Sequence, residues 1–209
     1  LLVYSRPAVQ DLEPAAVLVA PVDAVVFIAA GEMAADPVVE FSIESVRRGG
    51  RWKGPIFVLT DHKDCFETQG PLGIQVVEIP PQPDILHIKA LKTQLFDFLP
   101  SHINSVLYMD ADVIVARPLG QFLNDLSELL QSEAKGLSFG MFFDAQGHML
   151  RICAGCDKWH TGVIYVHRTT STRCMEAWRD VMITNHKFDT DQAAIDYVEQ
   201  KPGNCPRAA

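Results

Sequence analysis

The stretch Ser105-Val-Leu-Tyr-Met-Asp110-Ala-Asp112-Val-Ile-Val115 carries two carboxylates, one residue apart, inside an otherwise strongly apolar segment. Its first half has the length and composition of a strand buried on both faces of a sheet. Burying both carboxylates as bare anions would be costly, so we expect Asp110 and Asp112 to stand at the carboxyl end of that strand. Ligands of open α/β sheets collect at this end. The stretch therefore predicts a ligand site.

The two carboxylates have the chemistry of ligands for a hard divalent cation. If the backbone stays extended, the side chains of Asp110 and Asp112 point to the same side, with Cα atoms about 6.6 Å apart, while Ala111 faces away. Two oxygen ligands suit Mn²⁺ or Mg²⁺, which fill their other positions with water and substrate phosphate. Without a cation a diphosphate would be repelled, since each like-charge pair at about 4 Å costs about 4 kcal/mol at an effective dielectric constant of about 20. The other interpretation is that Asp110 starts an Asx-turn and Asp112 is solvated.

Strand-like and helix-like segments alternate on both sides of this stretch. Further apolar runs of strand length lie at 24–30, 56–59, 74–79, 138–143 and 162–167. Helical patterns lie at 37–48, 85–99, 119–131, 170–182 and 190–199. Asp36 and Asp84 are predicted N-caps, and Ile88, Leu91, Leu95 and Phe98 form one helical stripe. The alternation predicts an α/β fold with a mostly parallel sheet.

Amino-acid composition and the positions of the prolines indicate how the chain is divided into domains and which classes of partner are disfavoured. Residues 1–22 hold three prolines without a sustained period, so we expect an extended lead-in before one domain over 23–209. Eighteen Lys and Arg against 26 Asp and Glu give a charge of −8, which disfavours nucleic acid as a partner. The longest apolar stretch, 15–30, is interrupted by Pro21 and Asp23, so we expect no transmembrane segment within this chain.

The five cysteines do not identify the cellular compartment of the protein. Both the Golgi lumen and the cytoplasm are compatible with this number of cysteines.

Four elements, in order, resemble those of glycosyltransferase family 8, the glycogenin-like group of nucleotide-sugar enzymes with the GT-A fold. They are Lys92-Thr-Gln-Leu-Phe-Asp-Phe-Leu99, the Asp-x-Asp motif at 110–112, Trp159-His-Thr-Gly162-Val-Ile-Tyr-Val and Asp189-Thr-Asp191-Gln192-Ala-Ala-Ile-Asp. Together they cover roughly residues 24 to 200. The resemblance implies a GT-A-type (Rossmann-like) mixed, mostly parallel sheet flanked by helices. It also implies metal-dependent hexosyl transfer, with retention, from a nucleotide-diphosphate donor such as a UDP-sugar to an acceptor hydroxyl.

The resemblance implies a role for each candidate residue. Asp110 and Asp112 are expected to hold Mn²⁺ or Mg²⁺, and Lys92 to approach the donor diphosphate. Gln192 is expected beneath the anomeric carbon, with Asp191 orienting hydroxyl groups as the other catalytic residue. The remaining predicted donor contacts are Lys89, Ala30, Ala111, Thr161 and Gly162.

Simpler interpretations exist for several of these residues. Lysines beside a buried stripe often only lay their stems along it, which would explain Lys89 and Lys92. A turn before a strand explains Gly162. Asp191 is a good first residue for a helix whose Ala194, Ile195 and Val198 would face the core.

The sequence also departs from the family. His160 replaces the usual Asn, and the loop after the first strand lacks the Tyr that often contacts the base. The later His-x-x-Gly-x-x-Lys-Pro-Trp segment, whose His completes the metal site, has no counterpart before Ala209. Either the domain is truncated at its C-terminal end or metal binding is incomplete.

Three other hypotheses stay open. A haloacid-dehalogenase-like phosphatase also uses Asp-x-Asp after an apolar strand, although in that class the motif follows the first strand. A non-catalytic relative could bind a nucleotide sugar without turnover. Cys153 and Cys156, with His148 and His160 nearby, have ligand types for zinc, and a disulfide or free thiols are alternatives.

Overall fold

A six-stranded sheet organises the computed structural model, which describes residues 22–67, 70–132, 139–141, 161–169, 171–184 and 188–201. The strands are β1 Ala24–Ile28, β2 Ile56–Thr60, β3 Ile74–Glu78, β4 Ser105–Asp110, β5 Phe139–Met141 and β6 Val163–His167. Their order is β3-β2-β1-β4-β6-β5. The first four strands pair in parallel, whereas β6 is antiparallel to both β4 and β5. The predicted mixed, mostly parallel sheet is confirmed.

Helices cover both faces of this sheet. They are α1 Pro37–Arg48, α2 Ile85–Ala90, α3 Leu95–Phe98, α4 Leu119–Ser132, α5 Thr172–Ile183 and α6 Asp191–Glu199. The predicted N-caps are confirmed, because the Asp36 carboxylate accepts from the Val38 N–H at 2.9 Å and the Asp84 carboxylate from the His87 N–H at 2.9 Å. The boundaries follow the local signals of the sequence.

The prediction of one continuous helix between Asp84 and Pro100 is wrong. Helix α2 passes into a 3₁₀ turn at Leu91–Thr93, and Gln94, at φ −124° and ψ 16°, separates that turn from α3. The Thr93 hydroxyl donates to the Ala90 carbonyl at 2.7 Å, a side-chain bond that competes with regular helix formation. Leu91 and Leu95 are nevertheless buried. Burial of the stripe persists although the helix is broken.

The condition for a shared face, that the backbone stays extended through Asp112, is not met. Strand β4 ends at Asp110, and Ala111 and Asp112 form a turn closed by the Val113 N–H, which donates to the Asp110 carbonyl at 3.0 Å. The Ser42 hydroxyl of α1 donates to the Ala111 carbonyl at 2.7 Å and fixes this turn. Asp110 and Asp112 therefore do not share one face of a strand.

Alternation along β4 divides the core into two layers. Val106 and Tyr108 pack on the face covered by α2, α3, α5 and α6. Leu107 and Met109 pack on the face covered by α1 and α4. Because successive strand residues point to opposite faces, Asp110 is directed to the same face as Tyr108.

Arg168, just after β6, fixes the chain that leads into β4. Its guanidinium lies 4.7 Å from the centroid of the Phe96 ring. It donates to the carbonyl oxygens of Ile103 at 2.9 Å, Pro100 at 2.8 Å, Phe96 at 3.1 Å and Leu99 at 3.4 Å. These carbonyls belong to α3 and to the loop between α3 and β4, so one side chain holds this segment in place.

Some predictions concern residues outside the described ranges. They are the lead-in up to residue 21 and the alternatives for Cys153 and Cys156 with His148 and His160. Within the described ranges no helix combines the length and apolar character needed to cross a bilayer.

We predict that Arg168→Met lowers the free energy of unfolding by about 2 kcal/mol or more, because several carbonyls lose a charged hydrogen-bond donor. Urea denaturation followed by circular dichroism measures the change. Arg173→Met, an exposed arginine on α5, is the matched control and should stay within about 0.5 kcal/mol of wild type. An equal effect of the two substitutions would contradict this role of Arg168.

Candidate functional site

Asp110 lies where β4 ends, between the ends of two neighbouring elements. On one side it is in register with Ile28 of β1. On the other its N–H donates to the Gly162 carbonyl at 2.7 Å, just before β6 begins. Because β6 runs antiparallel to β4, its first residues lie at the same edge of the sheet as the last residue of β4. The predicted site residues Asp110 and Gly162 are therefore neighbours.

The Asp110 carboxylate is held through one of its oxygens. The Tyr108 hydroxyl donates to Asp110 Oδ1 at 2.5 Å, and Lys92 Nζ lies 2.8 Å from the same oxygen. Burial, and then the adjacent Asp110, raise the pKa of the Tyr108 phenol well above its ordinary value. The phenol therefore keeps its proton and acts as a donor at neutral pH.

The Lys92 ammonium contacts three separate parts of the chain. Besides its ion pair with Asp110, its Nζ donates to Asp191 Oδ2 at 2.6 Å and to the Thr161 carbonyl at 3.2 Å. The side chains of Lys92 and Asp191 are only 6% and 7% exposed. A buried ammonium is tolerated only when charges and acceptors compensate it, and this one has both.

Asp191 is fixed at the start of α6 from several directions. The Thr161 hydroxyl donates to its Oδ2 at 2.6 Å, and Trp178 Nε1 donates to its backbone carbonyl at 2.9 Å. Thr190 caps the helix, accepting from the Ala193 N–H at 3.2 Å. Asp191 is thus the first residue of the helix, as its helix-start propensity indicates, and also the partner of a buried lysine.

Lys89 completes a balanced set of charges. Its Nζ lies 4.0 Å from Asp191 Oδ1, so Lys89 and Lys92 approach the same carboxylate. Burial alone would raise the pKa of Asp191, but the Lys92 charge and hydrogen bond, with help from Thr161 and Lys89, hold that pKa below its ordinary range. Two ammonium groups therefore face the two carboxylates of Asp110 and Asp191.

The other predicted residues lie around this set. Ala30 is buried where the chain leaves β1, and Ala111 is buried with its carbonyl bound to Ser42. Gln192, on the first turn of α6, is half-buried, and its amide has no hydrogen-bond partner among the described residues. Ala194, Ile195 and Val198 of the same helix face the core, as predicted. Within the described part of the chain, the Gln192 amide is therefore a polar group without a protein partner.

Asp110 and Asp112 offer carboxylate oxygens, the ligand type that a hard divalent cation prefers, but the described residues form no closed cage of ligands. Asp112 is exposed and has no partner in the described ranges, while Asp110 keeps Oδ2 without a described donor. Within those ranges no group of three or more His, Cys, Asp or Glu residues could hold a metal. A Mg²⁺-type ion often takes only one or two carboxylates and completes its shell with water and substrate phosphate.

Three further residues, Tyr108, Asp61 and His62, lie at this edge of the sheet and were not predicted from the sequence. Tyr108 contacts Asp110, and Asp61 follows β2, accepting from the Gly31 N–H at 2.9 Å and pairing with His62 Nδ1 at 2.8 Å. Burial would raise the pKa of Asp61, yet these hydrogen bonds hold it below its ordinary value. The available signal was Thr-Asp-His directly after an apolar strand, the position that drew attention to Asp110.

We predict that Lys92→Met lowers the free energy of unfolding by about 3–5 kcal/mol, because two buried or half-buried carboxylates lose their shared counter-ion. Urea denaturation at pH 7 measures it. Lys63→Met is the control, since Lys63 pairs with Glu78 on the exposed surface at 3.0 Å. A Lys92→Met protein as stable as Lys63→Met would contradict the buried network.

The lowered pKa of Asp191 predicts a dependence of stability on pH. Its ionised form stabilises the fold above the unfolded-state pKa of about 3.9, and that contribution is lost as the pH falls through the lower folded-state pKa. We therefore expect wild type to lose more stability than Asp191→Asn below about pH 4, measured by urea midpoints from pH 7 to pH 2. Asp97→Asn, an exposed site, should follow the wild-type profile. Superimposable wild-type and Asp191→Asn profiles would disprove the linkage.

Comparison with known proteins gives similarity in structure but not in sequence. No family model matches the chain, and no curated protein matches it. The glycosyltransferase GlyE of Streptococcus pneumoniae TIGR4 superposes with a TM-score of 0.57 at 17% identity, covering 84% of this chain and 43% of GlyE. The galactosyltransferase LgtC, in complex with donor and acceptor sugar analogs, superposes with a TM-score of 0.56 at 16% identity, covering 87% of this chain and 72% of LgtC.

An active-site mutant of LgtC gives the same result, with a TM-score of 0.56 at 15% identity. Identities this low show the fold alone, and the chain spans less than half the length of GlyE. What the comparisons show is a glycosyltransferase fold of the GT-A type: the mixed, mostly parallel sheet with flanking helices that the sequence predicts.

Proposed function

We propose that this chain is the donor-binding part of a metal-dependent glycosyltransferase of family 8 type. It transfers a hexosyl group from a nucleotide-diphosphate sugar, with UDP as the expected nucleotide, to an acceptor hydroxyl with retention of configuration. The family, the donor and the retention come from the sequence resemblance. The glycosyltransferase fold gives independent support to the general activity.

One observation carries the proposal: residues from four separate segments meet at the carboxyl end of β4. Asp110 and Asp191 share the Lys92 ammonium, and the Thr161 hydroxyl and carbonyl bind Asp191 and Lys92. Asp110 and Thr161 are 51 positions apart in the printed sequence, so their meeting is a property of the fold. In open α/β sheets this edge is where ligands bind.

The residues divide the chemical work. Asp110 and Asp112 are proposed to hold a divalent cation, Mn²⁺ or Mg²⁺, which as a Lewis acid stabilises the charge of the departing diphosphate. Lys92 keeps Asp110 and Asp191 in fixed positions and brings positive charge to the same place. Asp191 Oδ1, which Lys89 Nζ approaches at 4.0 Å, is proposed to accept from a sugar hydroxyl. The Gln192 amide is proposed to lie beside the reacting carbon.

The order of the strands across the sheet indicates how the donor would be oriented on it. The proposed sugar contacts Thr161, Gly162 and Asp191 lie on the β6 side of Asp110, whereas Ala30 lies on the β1 side. A donor whose diphosphate is at Asp110 would therefore place its nucleoside over β1 and β2. Asp61 and His62, at the end of β2, are in the direction of the base.

The phosphatase alternative receives no support from the topology. Asp110 ends β4, which follows three other strands in the described part of the chain, and its Oδ1 contacts Tyr108 and Lys92. A carboxylate held in one position by these contacts is better suited to the role of a metal ligand than to that of a nucleophile, which must attack a phosphorus atom. Release of p-nitrophenol from p-nitrophenyl phosphate nevertheless provides a direct assay.

We predict that Asp112→Asn reduces Mn²⁺-dependent release of nucleoside diphosphate by about 100-fold, because the cation loses one of two protein ligands. Wild type and variant are incubated with UDP-, GDP- and ADP-sugars, with Mn²⁺ or with EDTA, and free nucleotide is measured by chromatography. Stability should change by less than about 0.5 kcal/mol, since Asp112 is exposed and without a described partner. Asp97→Asn is the matched surface control and should retain wild-type turnover.

Three outcomes decide between the hypotheses. Nucleotide release that needs Mn²⁺ and Asp112 supports the proposed transferase. Release of p-nitrophenol without nucleotide release supports a phosphatase. Mn²⁺-dependent nucleotide binding in calorimetry, with no donor cleavage on prolonged incubation, identifies a non-catalytic relative.

A further inference from the structure

The proposed chemistry gives no role to Tyr108, a residue of this site. Its side chain is 2% exposed, it lies two residues before Asp110 on β4, and its hydroxyl donates to Asp110 Oδ1 at 2.5 Å. The alternation of β4 makes this contact possible, because residues i and i+2 share a face of the sheet. A buried phenol needs a partner for its hydroxyl, and here the partner is a half-buried carboxylate.

The two oxygens of Asp110 have different environments. Oδ1 receives both the Tyr108 hydroxyl and the Lys92 ammonium, at 2.5 and 2.8 Å. Oδ2 has no donor in the described ranges. A hydrogen bond and an ion pair on the same oxygen restrict the rotation of the carboxylate about its Cβ–Cγ bond, so Oδ1 is occupied by the protein and Oδ2 is available.

We propose that Tyr108 is a positioning residue, which fixes the Asp110 carboxylate so that Oδ2 is presented to the divalent cation. The inference rests on the proposed function, since it assumes that Asp110 is a metal ligand. Without the phenol donor, the carboxylate can rotate and offer both oxygens to Lys92. The ammonium then competes with the cation for the same ligand, and metal affinity falls.

Tyr108→Phe tests this directly, because it removes one hydroxyl and keeps the ring that packs in the core. Tyr165→Phe is the matched control: Tyr165 is also 2% exposed, lies on the adjacent β6, and its phenol shares a hydrogen bond with the Ser105 side chain instead. Binding of Mn²⁺ alone is measured by the loss of the free-ion electron paramagnetic resonance signal. We expect about 10-fold weaker Mn²⁺ binding for Tyr108→Phe and wild-type binding for Tyr165→Phe.

A measurement on the unsubstituted residue protects the test against a variant that fails to fold. With 3-fluorotyrosine at all four tyrosines of the wild-type chain, sub-stoichiometric Mn²⁺ should broaden the ¹⁹F resonance of Tyr108 before that of Tyr165. The Tyr165 signal is identified with Tyr165→Phe. Simultaneous broadening of all resonances would overturn the proposal.

The outcomes separate this inference from the function on which it rests. If wild type binds Mn²⁺ and Tyr108→Phe binds it equally well, the positioning role is wrong and the transferase proposal stands. If Tyr165→Phe weakens binding as much as Tyr108→Phe, the effect is one of general stability and the inference is again wrong. If wild type does not bind Mn²⁺, both the metal site and the role of Tyr108 are overturned.

Discussion

The buried ammonium of Lys92 is the interaction on which the rest of the site depends. It forms an ion pair with Asp110 and donates hydrogen bonds to Thr161 and Asp191; these residues belong to a parallel strand, a turn before an antiparallel strand and the first turn of a helix. Each of these acceptors would be poorly placed without the others, since a charge that has left water needs compensation from every side. The network therefore ties the two halves of the chain together at the point where function is proposed.

Reversal of one strand provides the geometry for this network. An all-parallel sheet would bring only loops that follow strands to the carboxyl edge. Because β6 runs antiparallel to β4, the residues that precede it, Thr161 and Gly162, lie beside Asp110. The edge is thus built from the end of one strand and the beginning of its neighbour, and helix α6 closes it with Asp191. A mixed sheet places more backbone and side-chain groups there than a parallel one.

Local physics explains which features the sequence predicts well. The caps at Asp36 and Asp84, the buried strands and the inward face of α6 follow from the conformational preference of single residues and from short periods. The structure contains neither the unbroken helix before Pro100 nor extended backbone through Asp112. In both places side-chain hydrogen bonds favour another conformation, and the sequence pattern does not reveal these bonds. In the second case the Ser42 hydroxyl, 69 residues away, binds the turn.

Apolar periodicity and the placement of single charged residues are local properties of the sequence. They predict the α/β class, the order of strands and helices along the chain, and the candidate residues Asp110, Lys92 and Asp191. The folded structure alone shows that these three residues share one buried ion-pair network, that Asp112 is exposed on a turn, and that Tyr108 hydrogen-bonds to Asp110. These facts depend on contacts between segments distant along the chain. Their energies come from desolvation and charge compensation, which exist only after the sheet and its helices have assembled.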